Sequence, residues 1–243
     1  MLKVELHTHT ADDPEDLIPH STERLIDRAA ALGYQALAVT LHNRQLDPVP
    51  FTSYAADRGI TLIPGIERTI EGRHVLLLNF SRASEDVGSF EVLARLKERE
   101  PGLVVAPHPF YPLASCLREK MDRHASLVDA VEYNAMFTSS LNFNRKAEQW
   151  ALAHGKPMVG NGDVHRLQQL GTTYSLVDAA PHADAICAAI RAGRVQVESR
   201  PLSWWTATTL VAHLLSGDLM PGRWSRLPRL AGNPRSAPEH PRT

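Results

Sequence analysis

The sequence predicts an α/β barrel of about seven β/α units. Three observations lead there. Short apolar runs alternate with amphipathic segments along most of the chain. The length of 243 residues suits one undivided barrel. The strand-like runs also stop repeatedly at a histidine or an acid followed by a loop, the place where barrel folds assemble their sites.

The elements follow in order. Residues 3–7 form a first strand that runs into His7-Thr8-His9-Thr10. Residues two apart on a strand share a face, so both imidazoles can reach one ion. Ser21 is an N-cap for a helix to about Ala31, with Leu25, Ile26, Ala29 and Leu32 at helical spacing and Gly33 as its stop. Residues 36–41 are a strand ending at His42, residues 52–58 a weaker helix, and residues 60–66 a strand ending at Glu67. Residues 69–80 read as a hairpin turning at Glu71-Gly72, with His74 entering its second arm. A helix over 84–99 carries Phe90, Leu93 and Leu96. A strand over 103–106 runs into Pro107-His108-Pro109, and residues 117–124 are helical. Residues 130–133 form a strand reaching Asn134, residues 142–153 a helix, and residues 157–160 a strand leading to Asp163 and His165. A strand over 174–177, a helix over 182–192 and a strand over 195–198 complete the body. The alternation predicts a parallel sheet closed as a barrel.

Residues 1–199 make up that barrel, residues 200–220 a C-terminal helix, and residues 221–243 a loose, disordered tail rich in Pro and Arg. The uncharged stretch 201–217 is hydroxyl-rich and short for a span of about 20 apolar residues, so a membrane crossing is not expected. A helix docking Trp204, Trp205, Leu210 and Leu214 on the body is the first reading. An interfacial helix, encouraged by Arg223, Arg226 and Arg229, is the second. The formal net charge of −1 gives no nucleic-acid footprint across the surface, and no stable nucleic-acid complex is expected. Two cysteines, Cys116 and Cys187, are too few for a disulfide framework and lie in no paired metal motif. With Lys3 inside the opening segment no secretory leader is expected, and a reducing cytoplasm is the expected compartment. The oligomeric state is not legible.

The chemistry lies at the strand ends. His7, His9, His42, Glu67, His108, Asp163 and His165 all sit there, and His74 lies just across the hairpin turn. On a barrel these positions open onto one face. Imidazole with carboxylate suits Zn²⁺, Mn²⁺ or Fe²⁺, and no thiolate is offered. So many ligands exceed the need of one ion and imply two or three, with Glu67 able to bridge through its two oxygens. The other histidines, among them His124, His154 and His182, read as helix surface or packing.

In motif order the chain resembles the polymerase and histidinol phosphatase (PHP) superfamily. The residues that carry the resemblance are His7-Thr8-His9-Thr10, the run 38–43 ending in His42-Asn43, Pro64-Gly65-Ile66-Glu67, His74-Val75, Ala106-Pro107-His108-Pro109, Glu132-Tyr133-Asn134 and Gly162-Asp163-Val164-His165. It spans residues 2–177. It implies a distorted (β/α)7 TIM-like barrel with two or three divalent ions, Zn, Mn or Fe. A first ion would sit on His7, His9, Glu67 and Asp163. A second would sit on His42, His165 and a ligand from the loop after His9, and a third would share Glu67 with His74 and His108. The loop 11–20 leaves that ligand open: His20 is the first choice and Asp16 the next, while Asp13 and Glu15 read as solvated loop acids. Leu41 stands where the family usually has an Asp, which puts the orientation of His42 in question.

The implied reaction is hydrolysis of a phosphate ester by metal-activated water, the substrate being a phosphorylated small molecule or a nucleotide. Asp163 and His165 are candidates to relay a proton to the leaving group. Arg44, Arg68 and Arg166 are candidate phosphate contacts, and Asn134 a candidate to orient substrate. An amidohydrolase-like enzyme is a second reading, but no lysine ends a middle strand to bridge its metals. A metal-stabilised scaffold without turnover is a third. Its site would be closed with only four ligands.

Overall fold

Nine strands form a single sheet in the order β7-β6-β5-β4-β3-β2-β1-β8-β9 in the computed structural model, which describes residues 1–218. In chain order they are β1 (Leu2–Glu5), β2 (Ala36–Val39), β3 (Thr61–Ile70), β4 (Arg73–Leu78), β5 (Leu103–Ala106), β6 (Ala130–Asn134), β7 (Met158–Asn161), β8 (Thr173–Val177) and β9 (Val195–Ser199). Seven α-helices lie between or after them: α1 (Thr22–Ala31), α2 (Thr52–Ala56), α3 (Phe90–Arg99), α4 (Lys120–Arg123), α5 (Asn144–Ala153), α6 (Ala183–Arg191) and α7 (Trp204–Asp218). The sheet curls into a nearly closed barrel. Beyond β1 and β7 the chain adds a parallel bridge between Thr8 and Val164, and the Asn161 side chain accepts from the Leu6 amide at 3.2 Å.

The sheet is mixed, not parallel as the sequence predicts. The β1–β8, β3–β4, β4–β5 and β8–β9 pairs are antiparallel. The β3–β4 hairpin turns on Glu71 and Gly72, both at positive φ, the two-residue geometry that suits a tight reversal. Only eleven residues separate β7 from β8, too few for a helical crossover, so β8 returns antiparallel beside β1. The expected strand ending at Glu67 runs on to Ile70. Its first half pairs with β2 and its second with β4; the change of partner falls at Pro64-Gly65, through which the strand continues. The expected helix over 84–99 splits into a 3₁₀ turn, Arg82–Asp86, and α3, because the Ser89 hydroxyl caps α3 by accepting from the Val92 amide. Ser21 caps α1 as expected.

Three apolar layers hold the barrel. Val4, Leu6, Ala38, Leu76, Leu78 and Val105 form one cluster with Ile186, Ala189 and Ile190 of α6. Thr61 Oγ1 donates to the Pro181 carbonyl and Asn79 to Asp184, so α6 covers the end where the parallel strands begin. Helices α3 and α5 cover the β3–β6 side, and α1 and α2 cover β2. Of the C-terminal helix, Leu210 is buried, but Trp204 and Trp205 are 55% and 79% exposed and do not pack on the body as expected. The Leu214 side chain and residues 221–243 lie outside the described residues. No helix among the described residues is long and apolar enough to cross a membrane.

Glu5 is wholly buried between β1 and the segment after β7, where its Oε1 accepts from the amides of Gly162 at 2.9 Å and His7 at 3.3 Å. Burial pushes its pKa up to about 8. Between the ordinary carboxylate value and 8 the folded chain therefore holds a proton that the unfolded chain has lost, and this contribution falls as pH rises. Glu5→Gln removes the titration. Urea unfolding should show wild type losing ground to the variant between pH 5 and 8, with a slope approaching about 1.4 kcal/mol per pH unit. A constant difference across that range would contradict the burial of an ionisable Glu5.

Candidate metal centre

Backbone ladders bring the candidate side chains to one end of the barrel. His7 and His9 lie just past β1. The Val164 amide donates to the His7 carbonyl at 3.1 Å and the His9 amide to the Val164 carbonyl at 3.0 Å. That pairing sets the HxH segment beside the loop carrying Asp163 and His165. His42 continues the β2–β3 ladder and bridges to Glu67, which lies within β3. His74 enters on β4, His108 follows β5, and Glu132 and Asn134 project from β6. Two of these residues hold positive φ, His108 at 29° and Asp163 at 48°. Such backbone strain in non-glycine residues is a mark of constrained sites.

Glu67 is the hub. Its Oε2 lies 3.1 Å from His7 Nε2, 3.3 Å from His9 Nε2 and 3.2 Å from His42 Nε2. Its Oε1 lies 2.7 Å from His74 Nδ1 and 3.3 Å from His108 Nε2. Asp163 Oδ1 completes the cluster at 3.3 Å from His7 Nε2, 3.7 Å from His9 Nε2 and 3.4 Å from His165 Nδ1. Four histidines thus present Nε2 to the centre and turn Nδ1 outward. His7 Nδ1 meets Glu132 at 3.0 Å, His9 and His42 meet Asp13 at 2.9 and 3.1 Å, and His108 meets Cys116.

The electrostatics are those of interleaved acids and imidazoles. Burial opposes charge on His7, yet the carboxylates of Asp163, Glu67 and Glu132 hold its pKa well above the usual histidine value. Burial likewise opposes charge on His42, and bonding to Asp13 with the nearby Glu67 raises it to about 9. Burial would raise Glu67, but the surrounding His7 and His74 hold it well below the usual carboxylate range. These groups fit divalent cations. Donor atoms of His7-His9-Glu67, His9-Asp163-His165, His42-Glu67-His74, His7-His108-Asp163 and His9-Asp13-His42 lie within 4.8 Å of one another in each set. His9 Nε2, buried and aimed into this cluster, has no hydrogen-bond partner.

The geometry adds detail to several sequence expectations. His20 is buried but belongs to none of these sets, and neither of its ring nitrogens has a partner. Asp13, read from the sequence as solvated, is the loop carboxylate that meets two of the histidines, His9 and His42. Its Oδ2 also accepts from the His42 amide at 3.0 Å, while Oδ1 accepts from the amides of Glu15 and Asp16. Asp16 stands 2.9 Å from His165 Nε2. Leu41 packs with Leu25, Ile26 and Val39 in the outer apolar layer, so Asp13 and not residue 41 orients His42. Glu132, quoted in a motif but given no role, binds His7 on one oxygen and accepts from Asn134 Nδ2 at 2.7 Å on the other. Asn134 also donates to Asp163 at 3.3 Å.

The arginines divide. Arg68 is committed elsewhere, donating to the Val87 carbonyl and to Asn43 Oδ1, each at 2.8 Å. Arg44 is exposed and donates to the Asp12 carbonyl in the metal-site loop. Arg166 follows His165 directly and starts the 3₁₀ turn Leu167–Gln169. Away from the centre, His124 stacks on Phe90, His154 on Trp150, and His182 caps α6.

Comparison with known proteins agrees with this architecture. Residues 142–195 match the family model described as PHP-associated. PsfC from Pseudomonas syringae superposes with a TM-score of 0.63 at 17% identity, over 90% of this chain and 99% of that one. A two-domain protein from Bacteroides vulgatus containing a predicted PHP-like metal-dependent phosphoesterase gives 0.62 at 18%, over 87% and 69%. The lesion-specific endonuclease PfuEndoQ from Pyrococcus furiosus gives 0.53 at 14%, over 86% and 66%. No curated protein matches the chain. The fold is that of the barrel these proteins share.

Proposed function

We propose that this chain is a metal-dependent phosphoesterase that hydrolyses the phosphate ester of a small metabolite or a nucleotide. The observation that carries the reading is the two-sided use of Glu67. One oxygen faces His7, His9 and His42, and the other faces His74 and His108. A carboxylate shared in this way between two groups of imidazoles is the arrangement a multinuclear centre requires. His7, His9, Glu67 and Asp163 would hold one ion, His42 and His165 with a carboxylate of the loop a second, and His74 and His108 with Glu67 a third. When bound, such ions supply Lewis-acid polarisation of phosphoryl oxygens and activation of water.

The chain's own residues do the positioning. Glu132 fixes the ring of His7, and Asp13 fixes those of His9 and His42. Asn134 holds Asp163 through its Oδ2. Like His74, Asp163 and His165 lie on the partly exposed edge of the cluster, with side chains 19% and 17% accessible. At that edge either can pass a proton to a leaving oxygen. Arg166 and Arg44 are proposed to meet the phosphate, since a guanidinium matches its geometry. Arg68, already satisfied, is assigned to holding Asn43 and the Val87 segment instead.

The test is a screen of phosphorylated metabolites, nucleotides and short oligonucleotides with Mn²⁺, Zn²⁺ and Fe²⁺ supplied separately. Metal-dependent release of phosphate from at least one monoester is expected, and no ring opening of a cyclic amide. Amide hydrolysis without phosphate release would favour the amidohydrolase reading. Bound metal with no turnover of any substrate would favour the scaffold.

A further inference from the structure

We propose that Cys116 is a positioning residue of the metal centre: its sulfur accepts a hydrogen bond from His108 Nδ1 and so fixes Nε2 toward Glu67. The inference rests on the metal-centre reading above. It concerns a residue that offers no ligand atom to any of the candidate sets.

The two side chains are buried together. Cys116 is fully buried and His108 is 5% exposed, with Sγ 3.3 Å from Nδ1 and Nε2 3.3 Å from Glu67 Oε1. The outward nitrogens of His7, His9 and His42 meet carboxylates. Only a thiol answers that of His108. An imidazole that ligates through Nε2 carries its proton on Nδ1 and needs an acceptor there. Sulfur is a weak one, but it is the partner the fold supplies.

The loop between them is built for this contact. His108 sits between two prolines at φ 29°, and the chain returns so that the Arg118 amide donates to the Pro109 carbonyl at 2.9 Å. The returning segment is tied to β4. The His74 amide donates to the Ser115 carbonyl at 2.8 Å, and Arg73 Nη1 donates to the Cys116 carbonyl at 3.0 Å. The residue that orients His108 is thereby anchored to the strand that delivers His74. Both histidines face the same oxygen of Glu67. Loss of the sulfur should therefore weaken the ion held through His108 and spare those that do not use it.

The experiment uses the full chain as wild type, Cys116→Ser, Cys116→Val and, as a control on a buried thiol elsewhere, Cys187→Ala. Each is loaded with Zn²⁺ and dialysed against stepped chelator, and bound zinc is counted by elemental analysis. Cys116→Val should release one ion at about ten-fold lower chelator than wild type, in line with the loss of an outer partner of a metal histidine. Cys116→Ser, which keeps an acceptor, should recover most of that shift, and Cys187→Ala should show none. Ring ¹H–¹⁵N spectra of the zinc-loaded wild type and serine variant should show a protected Nδ1 proton on His108. That second readout decides the matter even if the valine variant does not fold. Release curves for Cys116→Val that match wild type would overturn the proposal. So would a serine variant as weak as valine, or a wild-type His108 without an Nδ1 proton. A wild-type chain that takes up no zinc would overturn the metal-centre reading and this inference together. Normal uptake with indifferent variants would overturn only the inference.

Discussion

Glu67→Gln should abolish phosphate release and remove more than one equivalent of bound metal. The substitution is nearly isosteric, so packing is preserved, but the amide offers one weak neutral acceptor where the carboxylate offers two anionic ones. Five imidazole nitrogens lie between 2.7 and 3.3 Å from the two oxygens. Removing the charge at that hub leaves both groups of histidines without their common counter-charge. Loss of an ordinary outer contact of a metal ligand costs about 10–100-fold in affinity or activity. Loss of a shared ligand should exceed that, giving at least about a thousand-fold drop in turnover. Phosphate release and elemental analysis on the same preparation check both parts. A variant that keeps full turnover, or loses metal one ion at most, would refute the bridging role.

Metal loading should raise the melting temperature by about 10 °C over the chelated protein. The centre packs Glu67, Glu132 and Asp163 against His7, His9, His42 and His108 with little access to water. A ligand present at about a thousand times its dissociation constant stabilises the native state by about 4 kcal/mol. For a chain of this size each kcal/mol shifts the midpoint by about 2–4 °C. Calorimetry of chelated and Mn²⁺- or Zn²⁺-loaded chain, at fixed protein concentration and pH, measures the shift. Coincident transitions would mean that the cluster holds no ion in the folded state.

The order of strands and helices was legible because periodicity and caps report local structure: Ser21, Gly33 and the Glu71-Gly72 turn all stand where expected. The gathering of His7, His9, His42, Glu67, His74, His108, Asp163 and His165 followed from their place near strand ends on a barrel. Strand direction was less legible. Nothing in the apolar run of β8 tells a parallel from an antiparallel partner, and the short connection before it decides. The outer residues of the centre were hidden for a different reason. Asp13 lies in a loop with three other acids, and only the fold that brings the His42 amide to its Oδ2 separates it from them. His20 closes the same loop and has the better ligand chemistry by type; it is buried near His9 and His165 but joins none of the closest donor sets. Glu132 and Cys116 act on histidines more than a hundred residues and eight residues away respectively, through contacts that no local pattern encodes.

The central claim is that several cations share Glu67 at one end of the barrel. Anomalous diffraction from crystals of the Mn²⁺- or Zn²⁺-loaded chain tests it most directly. The account predicts at least two peaks, each within bonding distance of Glu67 and of imidazoles from His7, His9, His42, His74 or His108. A single peak without Glu67 as a ligand, or no peak among these residues in fully loaded crystals, would contradict it.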